Sequence, residues 1–332
     1  MEELKGKKIL FFAPMFFDYE KEIIKKLTEF GAIVDYYDER PENDFLTKAS
    51  LRINKEIIKN RIEKYYQQIL GKTNSIQYDF VFVVNIEAMT PIILERFKHQ
   101  QYNATFILYM WDSLQNKKKT EEVLPYFDKI FSFDKTDSEK IQRVSFRPLF
   151  YIDDYARMEL DSNCSNSIEL CFIGTVHSDR YDLLKEIRSQ IESFGYKHYF
   201  FMFFPSPILF LYRKFKDVKF YKAKYKEFNF KSLSQKEIIK IIRKSKIVLD
   251  IHHPAQTGLT MRSIEMLGAN RKLITTNPDI RQYDFYNENN ILIIDRNKPE
   301  INKSFFETSY EKNEPSIRYK YSIEGWLKEL FS

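Results

Sequence analysis

The sequence alternates short apolar runs with amphipathic stretches, and this alternation constrains the fold more than any other feature. Apolar runs of five to eight residues separated by helical spacing predict strands that alternate with helices. Such an order favours parallel sheets covered by helices on both faces, an α/β fold. The predicted strands are 8–13, 32–37, 80–84, 105–110, 130–133 and 144–150 in the first half and 169–173, 197–203, 246–251, 272–276 and 291–294 in the second.

The chain is long enough for two hydrophobic cores. At 332 residues we expect two doubly wound, Rossmann-like domains, residues 1–155 and 165–320, with a polar linker within 153–166. Helical spacing also predicts one long helix over 51–70. Two assignments stay open for the last helix, 321–332, which belongs with the second domain or folds back over the first. Ligands of open α/β sheets bind beyond the carboxyl ends of strands, so we expect the domains to face each other across a cleft.

Composition excludes some classes of protein. The net charge is +6, but 47 acidic residues stand against 53 basic ones and no nucleic-acid motif is present, so nucleic acid is not an expected partner. Two cysteines give no disulfide framework. The first residues lack the pattern of a signal peptide, and we therefore expect a cytoplasmic protein.

One segment, 199–231, mixes aromatic residues with lysines. Its most apolar window, 199–212, contains two prolines and is shorter than the roughly 20 residues that span a bilayer. Two interpretations remain open. In the first, the segment makes peripheral contact with the inner face of the cytoplasmic membrane. In the second, its composition only follows from the general richness of this sequence in aromatic residues and lysine.

The stretch 249–269 carries the clearest ligand-binding pattern. An apolar strand runs into a short loop closed by Gly258, and a helix follows with Arg262 and Glu265 on neighbouring turns. A helix N-terminus and a guanidinium group attract anions, and a carboxylate accepts hydrogen bonds from sugar hydroxyls. The pattern therefore predicts a site for a nucleotide diphosphate sugar. The alternative is an ordinary helix-surface ion pair between Arg262 and Glu265.

A second candidate loop follows the first strand of the second half. Gly174 permits close backbone approach, while Thr175 and Arg180 offer a hydroxyl and a cation to a phosphate. For Arg180 the alternative is a solvated side chain at the start of the next helix. The sequence contains neither Gly-x-Gly-x-x-Gly nor a phosphate-loop lysine motif, which argues against a dehydrogenase and a P-loop enzyme.

Acidic side chains follow two strands of the first half. Asp112 comes after the strand 105–110, and Glu87 after the strand 80–84. Each could remove the proton of an acceptor hydroxyl as a general base. The alternative for Asp112 is a helix N-cap beside a packed Trp111, and a similar structural role is open for Glu87.

Two adjacent histidines follow the strand 246–251. Neighbouring residues in a strand point to opposite faces, and no Cys, Asp or His stands at ligand spacing, so His252 and His253 do not predict a metal site. His252 is instead expected to face the donor phosphate.

Three passages of the second half together resemble a known family. They are Phe172-Ile173-Gly174-Thr175 with a nearby arginine, the motif from Gly258 to Glu265, and the run from Lys272 to Asn277. The chain resembles bacterial nucleotide-sugar glycosyltransferases of the glycosyltransferase-B fold, especially those of capsule, lipopolysaccharide and spore-coat glycosylation. The resemblance covers residues 169–295 most clearly.

The resemblance implies roles for individual residues. Arg262 would contact the donor phosphates, Glu265 the ribose or donor-sugar hydroxyls, and Gly258 and Thr260 would shape the phosphate loop. Backbone amides, the helix dipole and Arg262 would stabilise the leaving diphosphate, so neither a metal nor a bound cofactor is expected.

The expected function is transfer of a sugar to a hydroxyl of a cell-surface glycan or lipid-linked acceptor in polysaccharide biosynthesis. A catalytically silent glycosyltransferase-like module of a polysaccharide assembly complex is one alternative. The silent module is favoured by Thr257, because this threonine stands where many retaining members of the family carry the first of two glutamates. A nucleotide-sugar epimerase on the same fold is another alternative.

Overall fold

The computed structural model describes residues 4–114, 118–158, 167–176, 179–217, 220–253 and 258–332. The chain divides into two compact units, one of Met1–Leu149, Gln256–Gly258 and Ile323–Ser332 and the other of Phe150–Ala255 and Leu259–Ser322. Most of the predicted linker, 159–166, lies outside the described residues. Within these described ranges each unit contains one six-stranded sheet, and all strand pairs in both sheets are parallel.

The first unit is built on strands that are buried on both faces. The runs KILFFA, FVFVV and TFILYM are almost wholly buried after their first residue, as the continuous apolar pattern of a parallel sheet requires. The strand order is β2-β1-β3-β4-β5-β6. The elements are β1 (Lys8–Ala13), α1 (Tyr19–Glu29), β2 (Ile33–Asp38), α2 (Phe45–Ile53), α3 (Lys59–Thr73), β3 (Phe80–Val84), α4 (Pro91–Gln100), β4 (Thr105–Met110), β5 (Lys129–Ser132), α5 (Lys135–Lys140) and β6 (Val144–Phe146), with 3-10 turns at Lys55–Ile58 and Lys118–Tyr126.

The prediction of one helix over 51–70 is wrong. Helix α2 ends at Ile53, and Asn54 takes an extended conformation with φ −158°. Its side-chain oxygen accepts the N–H of Glu56 at 3.1 Å and so caps the 3-10 turn that leads into α3. Asparagine competes with helical hydrogen bonds in this way, while the apolar spacing continues across the break and conceals it.

The second unit has the strand order β12-β11-β10-β7-β8-β9. Helices pack on its sheet, and the hydrophobic core between them includes Phe172, Ile187 and Leu249. In this unit the sequence did not predict the helix Pro207–Lys216, the strand Phe228–Asn229 or three short helices, Asp153–Ala156, Ser304–Glu307 and Pro315–Lys320. The elements are α6 (Asp153–Ala156), β7 (Ile168–Thr175), α7 (Arg180–Ser193), β8 (His198–Phe203), α8 (Pro207–Lys216), β9 (Phe228–Asn229), α9 (Gln235–Arg243), β10 (Ser245–Asp250), α10 (Met261–Ala269), β11 (Lys272–Thr275), β12 (Ile291–Ile293), α11 (Ser304–Glu307) and α12 (Pro315–Lys320), with 3-10 turns at Tyr225–Glu227 and Pro278–Gln282.

The last helix, α13 (Ile323–Phe331), packs in the first unit. Its fully buried Trp326 lies edge-on to Tyr109, with ring centroids 4.8 Å apart, and beside Phe82. Phe331 packs against the same sheet, on Phe80 and Phe82. This helix therefore covers one face of the first sheet.

Both sheets reverse their strand order once. In the first unit the reversal lies between β1 and β3, and in the second between β7 and β10. Each half is therefore doubly wound, and the prediction of an α/β chain with two Rossmann-like domains is confirmed. Loops that follow the strands at such a reversal diverge and leave a crevice. We call these two places the first and the second switch point.

Candidate functional site

Arg180 joins the two loops of the second switch point. Its Nη1 donates to the carbonyl oxygen of Thr175 at 2.8 Å, and its Nη2 donates to the carbonyl oxygen of Ile251. Burial lowers the pKa of Arg180, and the positive charge of Arg296 acts in the same direction. The guanidinium group thus holds the carboxyl ends of β7 and β10 in place and keeps a cation at the crevice.

Arg296 forms a second guanidinium contact at the same place. Its Nε and Nη2 donate to the carboxylate of Asp179, each at 2.6 Å, and its Nη1 donates to the carbonyl oxygen of His252 at 2.8 Å. The Arg296 side chain is 14% exposed, and its hydrogen bond lowers the pKa of Asp179. Sequence reasoning missed Arg296, although it follows strand β12 closely, where a ligand-facing residue is expected.

His252 lies between these arginines. Its Nδ1 is 2.8 Å from the Thr276 hydroxyl oxygen, which also accepts the His252 N–H at 3.2 Å. Burial lowers the pKa of His252, and Arg296 lowers it further. The imidazole is therefore neutral at neutral pH, and its facing of a donor phosphate stays a prediction.

Helix α10 begins at this crevice. Thr260 is its N-cap, and the Thr260 hydroxyl accepts the N–H of Ser263 at 3.3 Å. The same hydroxyl donates to the Asp250 carboxylate at 2.7 Å, and the Ser263 hydroxyl donates to it at 2.9 Å. Asp250, the last residue of β10, therefore fixes the first turn of the helix against the strand end. The helix N-terminus brings a partial positive charge to the switch point.

Arg262 and Glu265 form a buried ion pair in the first turns of α10. Arg262 Nη1 donates to Glu265 Oε2 at 2.7 Å, and the side chains are only 16% and 6% exposed. Tyr155 of α6 is hydrogen-bonded to both; burial, then the Glu265 charge, raises its pKa well above the usual range. The ion pair considered as an alternative does form, but inside the unit rather than on a solvated helix face.

The two glycines of the predicted site lie at points of close approach. A Cβ at Gly174 would come within 2.9 Å of the ring of Phe172, so a side chain there would displace that ring. Gly258 belongs to the first unit, where a Cβ would meet the Phe133 ring at 2.4 Å. Thr257 lies outside the described residues.

At the first switch point, Glu87 is held by its neighbours. Its Oε2 accepts Arg40 Nε at 2.8 Å, and its Oε1 accepts Asn85 Nδ2 at 3.3 Å. The side chain is only 8% exposed. Beneath it, the fully buried Glu39 accepts the N–H groups of Glu87 and the two residues that follow. Burial and the charge of Glu87 raise the pKa of Glu39 to about 8, although the three N–H groups act in the opposite direction.

The backbone at the first switch point is strained. Phe17 and Asp18 follow β1 with φ 49° and 60°, and Asn85 follows β3 with φ 55°. Residues other than glycine seldom adopt this left-handed region, and such conformations concentrate at ligand-binding loops. The N–H of Phe16 donates to the buried Glu20 at 3.2 Å, which ties the loop to α1. The strain is thus held by defined contacts.

Asp112 and the ring of Trp111 also lie at this edge of the first sheet. Asp112 is half-buried and follows Trp111, whose ring lies 5.7 Å from that of Phe16. Met15 and Phe17 beside it are about half exposed, at 52% and 47%. The structure therefore presents large apolar side chains and two carboxylates, that of Glu87 at the first switch point and that of Asp112 after the neighbouring strand β4, at the same edge of the first sheet.

No group of three or more His, Cys, Asp or Glu side chains that could hold a metal ion occurs among the described residues. Over the same part of the chain, no helix combines the length and the apolar character needed to cross a membrane.

Comparison with known proteins gives a match in structure only. Neither a family model nor a curated protein matches the sequence. Among solved structures, the chain is similar to Anabaena HepE in complex with UDP and glucose, with TM-score 0.58, 9% identity and coverage of 98% of this chain and 99% of that one. This chain has the glycosyltransferase-B fold.

Two further structures share this fold. The UDP-forming α,α-trehalose-phosphate synthase of Burkholderia xenovorans, in complex with glucose-6-phosphate, matches with TM-score 0.58 and 9% identity over 98% of both chains. The UDP-GlcNAc 2-epimerase of Methanocaldococcus jannaschii matches with TM-score 0.50 and 10% identity over 97% of this chain and 99% of that one. Transferases and an epimerase therefore share the architecture, and it does not by itself choose between them.

Proposed function

We propose that the protein is a glycosyltransferase that moves a sugar from a nucleotide diphosphate sugar to a hydroxyl of an acceptor. The observation that carries this proposal is the convergence, at the second switch point, of the start of α10 with the guanidinium groups of Arg180 and Arg296. Nucleotides bind at this position in open α/β sheets. A nucleotide-sugar donor is further supported by the similar HepE structure, which contains UDP and glucose.

In this proposal the donor exchanges contacts inside the unit. A diphosphate at the start of α10 attracts Arg262 away from Glu265, and the released carboxylate accepts hydroxyl groups of the ribose or the donor sugar. Gly174 and Thr175 bring the backbone of β7 close to the phosphates, with Gly258 and Thr260 on the loop before α10. The neutral His252 faces the donor phosphate. These groups stabilise the leaving diphosphate without a metal ion.

The first unit supplies the acceptor side. Glu87 is engaged by Arg40 and Asn85 and is 8% exposed, which favours Asp112 as the general base. The acceptor is a glycan or lipid-linked glycan destined for the cell surface, in capsule or lipopolysaccharide biosynthesis, and the reaction takes place on the cytoplasmic side of the membrane.

The decisive experiment is an activity assay on the purified protein with a panel of nucleotide diphosphate sugars, glycan acceptors and chelator. Donor-dependent transfer or hydrolysis should occur in the presence of chelator, and Arg262→Ala should abolish it. Arg188→Ala is the matched control, because Arg188 also pairs with a glutamate of the same unit, at 3.3 Å, but far along α7 from the second switch point. Loss of activity in both variants, or persistence in Arg262→Ala, would contradict the assigned role.

A catalytically silent binding module is the second candidate. The observation in its favour is that Arg262, Glu265 and Tyr155 already satisfy one another in the buried network. Such a module would bind the donor without turnover across a broad panel of acceptors. An epimerase, in contrast, would release free epimerised sugar in the absence of any acceptor.

A further inference from the structure

Helix α8 carries apolar side chains outward. Phe210 is 1% exposed and anchors the helix to the core of the second unit. Ile208, Leu211, Tyr212 and Phe215 have the spacing of one helix face and are 78%, 50%, 58% and 85% exposed. Four large apolar side chains therefore form a stripe in water, where an ordinary surface helix presents polar residues.

The surroundings of this stripe are basic. Lys216 of α8 is exposed. The segment beside the helix, where the carbonyl oxygen of Ala223 accepts Lys214 Nζ at 2.9 Å, carries the exposed Lys222, Lys224 and Lys226. They alternate with two exposed tyrosines, Tyr221 and Tyr225. In the described part of 207–226 the acidic residue is Asp217, which lies 3.7 Å from Arg213. We call the stripe, these tyrosines and these lysines the α8 surface.

We propose that the α8 surface docks the protein on an anionic membrane. The apolar stripe would enter the boundary between headgroups and acyl chains, while the lysines contact anionic headgroups and the tyrosines lie at headgroup depth. A second copy of the chain is a poor occupant, because a symmetric contact would place lysines against lysines. The inference goes beyond the proposed function, since a membrane surface is neither donor nor acceptor.

Vesicle flotation of the full-length protein tests this inference. The protein should float with vesicles of equimolar phosphatidylglycerol and phosphatidylcholine and hardly at all with phosphatidylcholine alone. Raising NaCl from about 0.1 M to about 1 M shortens the Debye length from roughly 10 Å to roughly 3 Å and should weaken binding. The double variant Ile208→Ser/Phe215→Ser should lower the partition coefficient roughly tenfold or more, because two inserted side chains lose their apolar surface.

The matched control removes one aliphatic and one aromatic side chain that are exposed on the other unit. Ile92→Ser/Tyr102→Ser changes residues that are 52% and 72% exposed, and it should float as the wild type does. Thermal denaturation verifies that both variants remain folded. The inference is overturned if the wild type ignores anionic vesicles, which would leave the surface to a protein partner. It is also overturned if the stripe variant floats as well as the wild type.

Discussion

The two switch points have the same topology but opposite chemistry. At the second, guanidinium groups are fixed by carbonyls and carboxylates, as Arg180 and Arg296 show. At the first, the backbone of Phe17 and Asn85 is strained and large apolar side chains face water. The difference teaches that one fold can hold fixed charges for an anion at one edge and adaptable contacts for a second ligand at the other.

The largest expected effect comes from a change at the second switch point, where the charges are fixed. Arg180→Ala leaves two main-chain carbonyls without their donor, so the second unit should lose about 3 kcal/mol of stability. Affinity for nucleoside diphosphates should fall about 100-fold or more, as measured by calorimetry, because the loops after β7 and β10 lose their link. Arg188→Ala, on the same helix, should bind as the wild type does. An equal loss of affinity in both variants would show that Arg180 is not part of the donor site.

Next in size is the pH dependence of the first unit. The pKa of Glu39 rises from 4.5 to about 8 on folding, so the folded state holds the proton more tightly. The contribution of Glu39 to stability should be greatest below about pH 4.5 and should be lost as pH rises towards about 8. Glu39→Gln should remove most of this dependence in denaturant titrations across the range. Glu42→Gln, an exposed glutamate nearby, is the control, and an unchanged slope in Glu39→Gln would contradict the assignment.

A smaller change sharpens the description of the buried ion pair. Tyr155→Phe removes the hydroxyl that contacts Arg262 and Glu265 and should cost about 1–2 kcal/mol of stability. If the donor separates that pair, the variant should bind donor no more weakly than the wild type, because one competing contact is gone. Calorimetry with the nucleoside diphosphate that binds the wild type measures this. A large loss of affinity would instead show that the intact network is the binding form.

The smallest expected effect comes from a change near the first switch point, where the contacts are adaptable. Trp111→Ala removes a ring that packs on Phe16, so the KM for the acceptor should rise about fivefold to tenfold. The affinity for the donor should stay as in the wild type. Steady-state kinetics with both substrates varied separates the two constants. A weaker donor with an unchanged acceptor KM would reverse the assignment of the two switch points.

The sequence predicts the sheets well because their strands are buried on both faces and read as continuous apolar runs. It fails where the decisive contact is distant in sequence. Arg296 meets Asp179 across 117 positions, and Tyr155 contacts Arg262 from another helix, so no local spacing reveals either pair. The strained turn at Phe17 was equally hidden, because no glycine marks it. The roles assigned to Arg262, Glu265 and Asp112 stay predictions.

Hydrogen–deuterium exchange with UDP, GDP, ADP and dTDP tests the central claim most directly, since it both detects and locates a bound nucleotide. At least one nucleotide should protect peptides from the end of β7, the start of α7 and the first turn of α10, while the loops after β1 and β3 exchange as in the free protein. Protection confined to the loops after β1 and β3, or no protection by any of the four, would contradict a donor site at the second switch point.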